Sequence, residues 1–483
     1  MDKKLGKNLI LNTSYNILAI LVPFVTAPYL GRVLGAAQVG CYTYNYSIAS
    51  YFIMFGLLGI INYGTRSIAQ VRESEKKRSK IFSEIYFMQL ITGGIITIVY
   101  LIYSFFSFKT KSYSILMLPY VMTSVLDVSW FCIGMEKFKS IVLRNIFIKI
   151  INIIFIFTLV KNEDSLLIYI LIMVVCYFIS ALILWPSVLN EVSFIKPKLK
   201  EIIKHFKPNF ILFIPAISAS VFQIMDKIMI GIIANNSQLA YYEYADKIIQ
   251  VPNVIFGAIG AVMLSRMSYM VKNYEDQGKN LLFISMELSF LISVGFCFGI
   301  MAIADELVLV YYGNRFIQSG RILFLLAPSI VLYGFNNVLR MQYIIPRSKD
   351  SIYIKATMIG AAINIVLNFI FIPRYASMGA IIGTISAQIA ILFVYYIFLR
   401  KEINILIFFK KASLIFFSGV IMFGTIKILR LFHGENIVTL IIDLVFGIFV
   451  YSASCLVSGI FNKNQLLNLY FNKIIRKDLN GSK

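Results

Sequence analysis

Fourteen runs of predominantly apolar residues, separated by short polar segments, constrain this chain more than any other feature. They lie near 9–30, 40–61, 84–106, 113–135, 145–160, 166–189, 209–233, 240–263, 282–304, 320–339, 351–372, 379–399, 412–430 and 436–460. A helix that crosses hydrocarbon needs about 20 such residues. The chain around the runs offers no alternative solvent: 59% of its residues are hydrophobic and 14% are charged, against about 25% charged in a soluble domain. Mean hydropathy is +0.81. The expected fold is an all-α integral membrane protein with about fourteen transmembrane helices.

The net charge of +22 raises nucleic acid or an anionic surface as a partner, and the placement of the charges decides. With the N-terminus inside, 32 of the 45 lysines and arginines fall in segments on the inner side, eight on the outer side and five within spans. Basic residues concentrate on the cytoplasmic side of membrane proteins, so the excess charge is topology and no nucleic-acid partner is implied. The alternation predicts an even number of spans, with both termini in the cytoplasm. The N-terminal stretch MDKKLGKN runs into a helix without a small-residue cleavage site, so no removable signal peptide is expected.

A shift of 200 residues superimposes part of the chain on itself. Lys4 meets Lys204, Lys7 meets Lys207, Gly31 meets Gly231 and Gln38 meets Gln238. Tyr42 meets Tyr242, Tyr44 meets Tyr244 and Arg66 meets Arg266. The order of the matches carries more weight than any one of them. Each repeat holds six spans, so both begin on the same side, as in a parallel repeat about an axis along the membrane normal. The expected organisation is a six-helix lobe over 1–195, a second over 196–400, and two further helices with a cytoplasmic tail over 401–483.

Catalytic chemistry is sparse. No G-x-x-x-x-G-K-[ST] loop is present, which excludes ATP binding through a P-loop. The two histidines, His205 and His433, lie in or beside loops, and no cofactor or metal is implied. The five cysteines all fall in apolar runs without CxxC spacing, and read as small buried apolar residues. An enzyme is not expected.

Charge inside a span is costly and faces a protein interior or an aqueous cavity. On the seventh run, Gln223, Asp226 and Lys227 stand at i, i+3 and i+4, and so share one helical face. On the eighth, Glu243, Asp246, Lys247 and Gln250 share another. Lys227 and Lys247 flank the intervening hairpin at similar depth. These charges read either as mutually neutralising pairs, Asp226 with Lys247 and Lys227 with Asp246, or as a charged cavity wall, and the two readings are compatible. Tyr42 and Tyr44 open the second run, either as an interfacial aromatic belt or as a wall for sugar, since tyrosine presents a flat apolar face and a hydroxyl. Asp127 is a solitary embedded acid, and Arg32 sits on the outer side against the charge rule. Arg340 lies at an inner helix end. Lys427 and Asp443 have the spacing to pair across the last two runs.

The first seventy residues contain Asn12-x2-Tyr15, Pro23-x2-Thr26-x-Pro28-Tyr29, Arg32-Val33-Leu34-Gly35, Gly40-x-Tyr42, Tyr51-Phe52, Leu58-Gly59 and Tyr63-Gly64-x-Arg66. Further on stand Trp130-Phe131-x2-Gly134-x-Glu136-x-Phe138, Asp226-x4-Gly231 and Gly379-Ala380. This pattern resembles the polysaccharide-repeat-unit flippases (Wzx-type) of the multidrug/oligosaccharidyl-lipid/polysaccharide exporter superfamily. The resemblance implies two lobes around a central cavity and alternating access. It implies transfer of an undecaprenyl-pyrophosphate-linked oligosaccharide to the outer leaflet, beside a polysaccharide polymerase and chain-length proteins. The first run carries no embedded charge, where relatives that move peptidoglycan precursor place basic residues; an O-antigen or capsule unit is therefore favoured. The alternative is an antiporter for drugs or small solutes in the same superfamily, coupled to H⁺ or Na⁺, for which Asp127, Asp226 and Asp246 are candidate ion-binding acids.

Overall fold

In a computed structural model, residues 3–107, 110–403, 408–432, 434 and 436–458 are described, and every regular element among them is helical. The tail expected after residue 460, His433 and the side chains of residues 1–21 lie outside the described residues. The helices are α1 (Lys3–Leu57), α2 (Ile60–Val71), α3 (Glu75–Phe106), α4 (Lys111–Leu116), α5 (Leu118–Leu126), α6 (Ser129–Gly134), α7 (Phe138–Leu159) and α8 (Leu166–Ile183). The short α9 (Trp185–Leu189) and α10 (Leu199–Ile203) precede α11 (Phe206–Ser220), α12 (Asp226–Ile233) and α13 (Asn236–Asn273). Then come α14 (Glu275–Tyr312), α15 (Gln318–Leu326), α16 (Pro328–Leu339), α17 (Asp350–Tyr375), α18 (Ser377–Leu399), α19 (Phe408–Leu429) and α20 (Ile437–Val457).

Among the described residues, 12 helical stretches are long and apolar enough to cross a membrane. The difference from fourteen runs has two causes. The first two runs fall on one 50-residue stretch, Val22–Val71, broken at Gly35, whose φ of 74° and ψ of 171° leave the helical region for one open essentially to glycine alone. The run over 209–233 is interrupted by a π-turn at Val221–Met225, which leaves α11 and α12 at 15 and 8 residues, each too short alone.

The chain divides into two compact units. One comprises Met1–Tyr244, Tyr312–Phe316 and Ala361–Gly383; the other comprises Ala245–Tyr311, Ile317–Gly360 and Thr384–Lys483. In the first, Ile60, Ile68, Phe82, Ile85, Trp130 and Phe131 form a core between α2, α3 and α6. Two of the sequence motifs meet there. A Cβ on Gly64 would stand 2.5 Å from the Trp130 ring, and one on Gly134 would stand 2.9 Å from Ile68. The glycines let α2 and α6 close on each other, and Gln89 accepts the Trp130 indole N–H at 3.0 Å. In the second unit, Ala302, Ile303, Met422 and Ile426 pack α14 against α19. Large apolar side chains such as Val262, Phe369, Phe417, Ile448 and Phe449 remain exposed, a surface that only lipid or another apolar partner can cover.

Ion pairs respect the two sides assigned from charge. In the first unit Arg72 pairs with Glu136 at 2.5 Å, Arg78 with Glu191 at 3.0 Å, Lys137 with Glu191 at 2.7 Å and Lys80 with Glu201 at 2.8 Å. All of these segments fall on the side read as inner. Arg315 pairs with Glu163, and both belong to the other side. In the second unit Lys349 reaches Glu402 at 2.5 Å, again joining two inner segments.

Two glycine–tyrosine contacts of the first unit are related by the 200-residue shift. A Cβ on Gly31 would stand 2.9 Å from the Tyr244 ring, and one on Gly231 would stand 2.4 Å from the Tyr44 ring. Shifting by 200 residues exchanges these two contacts. A reciprocal pair of this kind is what two equivalent segments make around a two-fold axis.

Candidate functional site

The first unit holds a polar group deep within its apolar helices. Asp226 is 1% exposed. Its Oδ1 accepts the Asn368 amide at 2.6 Å, and its Oδ2 accepts the Tyr242 hydroxyl at 3.0 Å. The Asn368 amide nitrogen also reaches Asn364 Oδ1 at 3.2 Å. Asn368 Oδ1 and Asn364 Nδ2 are buried without a hydrogen-bond partner. Space beside Asn368 comes from Gly383, where a Cβ would stand 2.2 Å from Asn368 Oδ1. A carboxylate with neighbouring amide oxygens is a hard-oxygen donor set, suited to a small cation or a proton.

The π-turn decides which side chains join this group. It inserts one residue per turn, and such turns recur at functional sites. The expected common face of Gln223, Asp226 and Lys227 is not kept: Asp226 is buried, Lys227 is half-buried and Gln223 is exposed. Lys227 Nζ stands 2.6 Å from Glu243 Oε2. This pair crosses from α12 to α13 within the first unit.

Beside it lies an aromatic cluster. Glu243 is within electrostatic range of Tyr169, whose ring centroid is 4.6 Å from that of Tyr42. Tyr42 stacks on Tyr46 at 5.6 Å, and Tyr46 on Tyr120 at 5.3 Å. Tyr120 and Tyr177 approach to 4.7 Å. Tyr42 is therefore part of a five-ring cluster drawn from α1, α5 and α8. Tyr44 points elsewhere, onto Gly231.

Asp127 ends α5, where its Oδ1 accepts the Ser129 backbone N–H at 2.8 Å; it shapes the α5–α6 break and its partners are not those of Asp226. Arg32 is exposed and lies beside Gly313. Asp246 and Lys247 are half-buried in the second unit, where Gln250 donates to Asp246 Oδ1 at 3.2 Å. The suggested Lys427–Asp443 pair is not formed: both oxygens of Asp443 are buried without a hydrogen-bond partner. Glu306 instead takes the nearby donors, Arg430 Nε at 3.3 Å and the Thr439 hydroxyl at 3.0 Å. Sequence reading missed Tyr242, Asn364 and Asn368. The two asparagines were visible as a polar i, i+4 pair inside an apolar run.

The described polysaccharide biosynthesis protein family matches residues 5–271, more than half of the chain. The chain belongs to that family. A Shigella dysenteriae protein named as an O-antigen transporter is 25% identical over 392 residues, covering 77% of this chain and 94% of that one. A Haloferax volcanii protein named as a low-salt glycan biosynthesis flippase is 23% identical over 270 residues, covering 56% and 57%. Among solved structures, the lipid II flippase MurJ in an inward closed conformation superposes with a TM-score of 0.74 at 16% identity, covering 95% of this chain and 99% of that one. A multidrug resistance MATE transporter, inward-facing, gives 0.61 at 13% identity, covering 82% and 95%. The fold is thus the one shared by these transporters, and the chain is a multi-pass membrane protein.

Proposed function

We propose that this family member is a flippase, carrying an oligosaccharide repeat unit linked to undecaprenyl pyrophosphate from the inner to the outer leaflet of the bacterial cytoplasmic membrane. The product would enter O-antigen or capsule assembly, beside a polymerase and chain-length proteins. The observation that carries this reading is the Lys227–Glu243 pair against the tyrosine cluster of the first unit. An anion-binding lysine with a displaceable counter-ion, adjoining flat hydroxylated rings, matches a ligand with a charged headgroup and a sugar chain. In the resting state Glu243 neutralises Lys227; a diphosphate competes for it. Both termini in the cytoplasm and movement by alternating access complete the reading.

The test is surface polymer, normalised to protein level, in a strain lacking the gene. Reversing the pair, Lys227→Glu with Glu243→Lys, should restore protein abundance lost in either single change but leave export at least tenfold low. Full export from the reversed pair would overturn the role of Lys227.

A second reading, export of a small solute coupled to a cation, is favoured by the oxygen donors at Asp226, Asn364 and Asn368. It predicts a changed drug-resistance profile on overexpression, with loss of that phenotype in Asp226→Asn.

A further inference from the structure

The stretch Gln318–Arg347 ends irregularly. A π-turn at Arg340–Ile344 runs into a 3₁₀ turn at Ile345–Arg347, and Ser348 follows with a φ of 56°. This places Arg347 over the buried ring of Tyr343, with the guanidinium carbon 3.9 Å from the ring centroid. The Tyr343 hydroxyl donates to Glu402 Oε2 at 2.7 Å. Lys349 Nζ lies 2.5 Å from both Glu402 oxygens and 5.7 Å from the Tyr343 ring.

Glu402 therefore bonds Lys349 and Tyr343 directly, and meets Arg347 through electrostatics alone, without a hydrogen bond. Both terminal nitrogens of Arg347 are buried and find no acceptor. Buried donors of a charged group are seldom left so. The concentration of basic residues at inner helix ends explains why an arginine stands here. It does not explain why the four N–H donors on those nitrogens are withdrawn from water without an acceptor. A guanidinium held flat on an aromatic ring presents those donors in a fixed fork, and that geometry fits phosphate oxygens. Lys349 adds a point charge two residues away. Glu275 also lies within electrostatic range of Tyr343, but it is engaged by Lys279 at 3.3 Å.

We propose that Arg347 and Lys349, seated on Tyr343, form a binding site for the diphosphate group of an anionic ligand at the end of the Gln318–Arg347 stretch, with Glu402 as the counter-ion that the ligand displaces. Assigning that diphosphate to the lipid-linked oligosaccharide rests on the proposed function; the site itself does not. It lies in the second unit, apart in sequence from Lys227 and Glu243, on the side read as cytoplasmic.

The experiment uses the purified full-length protein in detergent and inorganic pyrophosphate, with binding read by calorimetry and by the shift in thermal midpoint. Wild type should bind. Arg347→Gln should weaken binding at least tenfold, Arg347→Lys should recover only part of it, and Glu402→Gln should strengthen it by freeing Lys349. Monodispersity on size exclusion and an unchanged midpoint without ligand identify variants that are folded, and Arg347→Lys serves if Arg347→Gln is not. Equal affinity in wild type and the folded arginine variants would overturn the site, as would no binding to wild type. In nanodiscs, phosphatidylglycerol that displaces pyrophosphate where phosphatidylcholine does not would assign the site to bulk lipid headgroups and overturn the diphosphate assignment. Export that fails while pyrophosphate binding is intact counts against the flippase reading and not against this site.

Discussion

Glycines and one histidine carry the sharpest consequences at the scale of single residues. Gly64 faces Trp130 with no room for a methyl group, whereas Gly94 has nothing within 4 Å of its Cβ position. Overpacking a tight joint costs about 1–3 kcal/mol. Gly64→Ala should lower the thermal midpoint and the yield of monodisperse protein, and Gly94→Ala should leave both unchanged, as read by fluorescence-detected size exclusion. His205 makes a second case. It is 3% exposed, with Nε2 2.8 Å from Glu84 and Nδ1 2.6 Å from the Tyr63 hydroxyl. Burial holds its pKa below the ordinary 6.5, although Glu84 pulls it the other way. The unfolded chain therefore takes up a proton below 6.5 before the folded one does, so this contribution to stability is complete above 6.5 and is lost as pH falls through the depressed value. The thermal midpoint should drop on acidification below 6.5, and His205→Gln should remove that step; an unchanged pH profile in the variant would refute it.

Among the elements, the reciprocal contacts of Gly31 with Tyr244 and Gly231 with Tyr44 are the informative feature. Their order was readable from the 200-residue shift, because glycine and tyrosine recur at matching positions. That the glycines lie against the tyrosines of the opposite copy was not readable, because a periodic pattern gives no partner. Double-mutant cycles combining each Gly→Ala with its facing Tyr→Leu should give couplings of the same sign and similar size, about 0.5–3 kcal/mol for residues in contact. Coupling at one joint and none at the other would remove the equivalence. The Asp226 group shows the same limit. The embedded acid was evident from its cost in an apolar run, but its partner Asn368, with Asn364 beside it, comes from a helix 142 residues away. The π-turn that excludes Gln223 leaves no mark in residue spacing. Conversely, the motifs Tyr63-Gly64-x-Arg66 and Trp130-Phe131-x2-Gly134 stood out in the sequence, and the structure makes them a packing joint.

For the whole molecule, membrane class follows from composition, and the ion pairs join segments that the charge pattern assigns to the same side. Single cysteines placed at Asn162 or Asn314 should react with an impermeant maleimide added to intact cells, in a background where the five buried cysteines are replaced. Cysteines at Ser74, Pro197 or Ser348 should react only after lysis. Labelling of Ser74→Cys in intact cells would invert the topology. The activity proposed for the protein is movement of a lipid-linked oligosaccharide between leaflets. The most direct test reconstitutes the purified protein in liposomes carrying a fluorescent undecaprenyl-diphosphate oligosaccharide and follows its exposure to a membrane-impermeant quencher or glycosidase. Protein-dependent exposure of the inner-leaflet pool, slowed at least tenfold by reversing Lys227 and Glu243, is the predicted result; exposure at the rate of protein-free liposomes would contradict it.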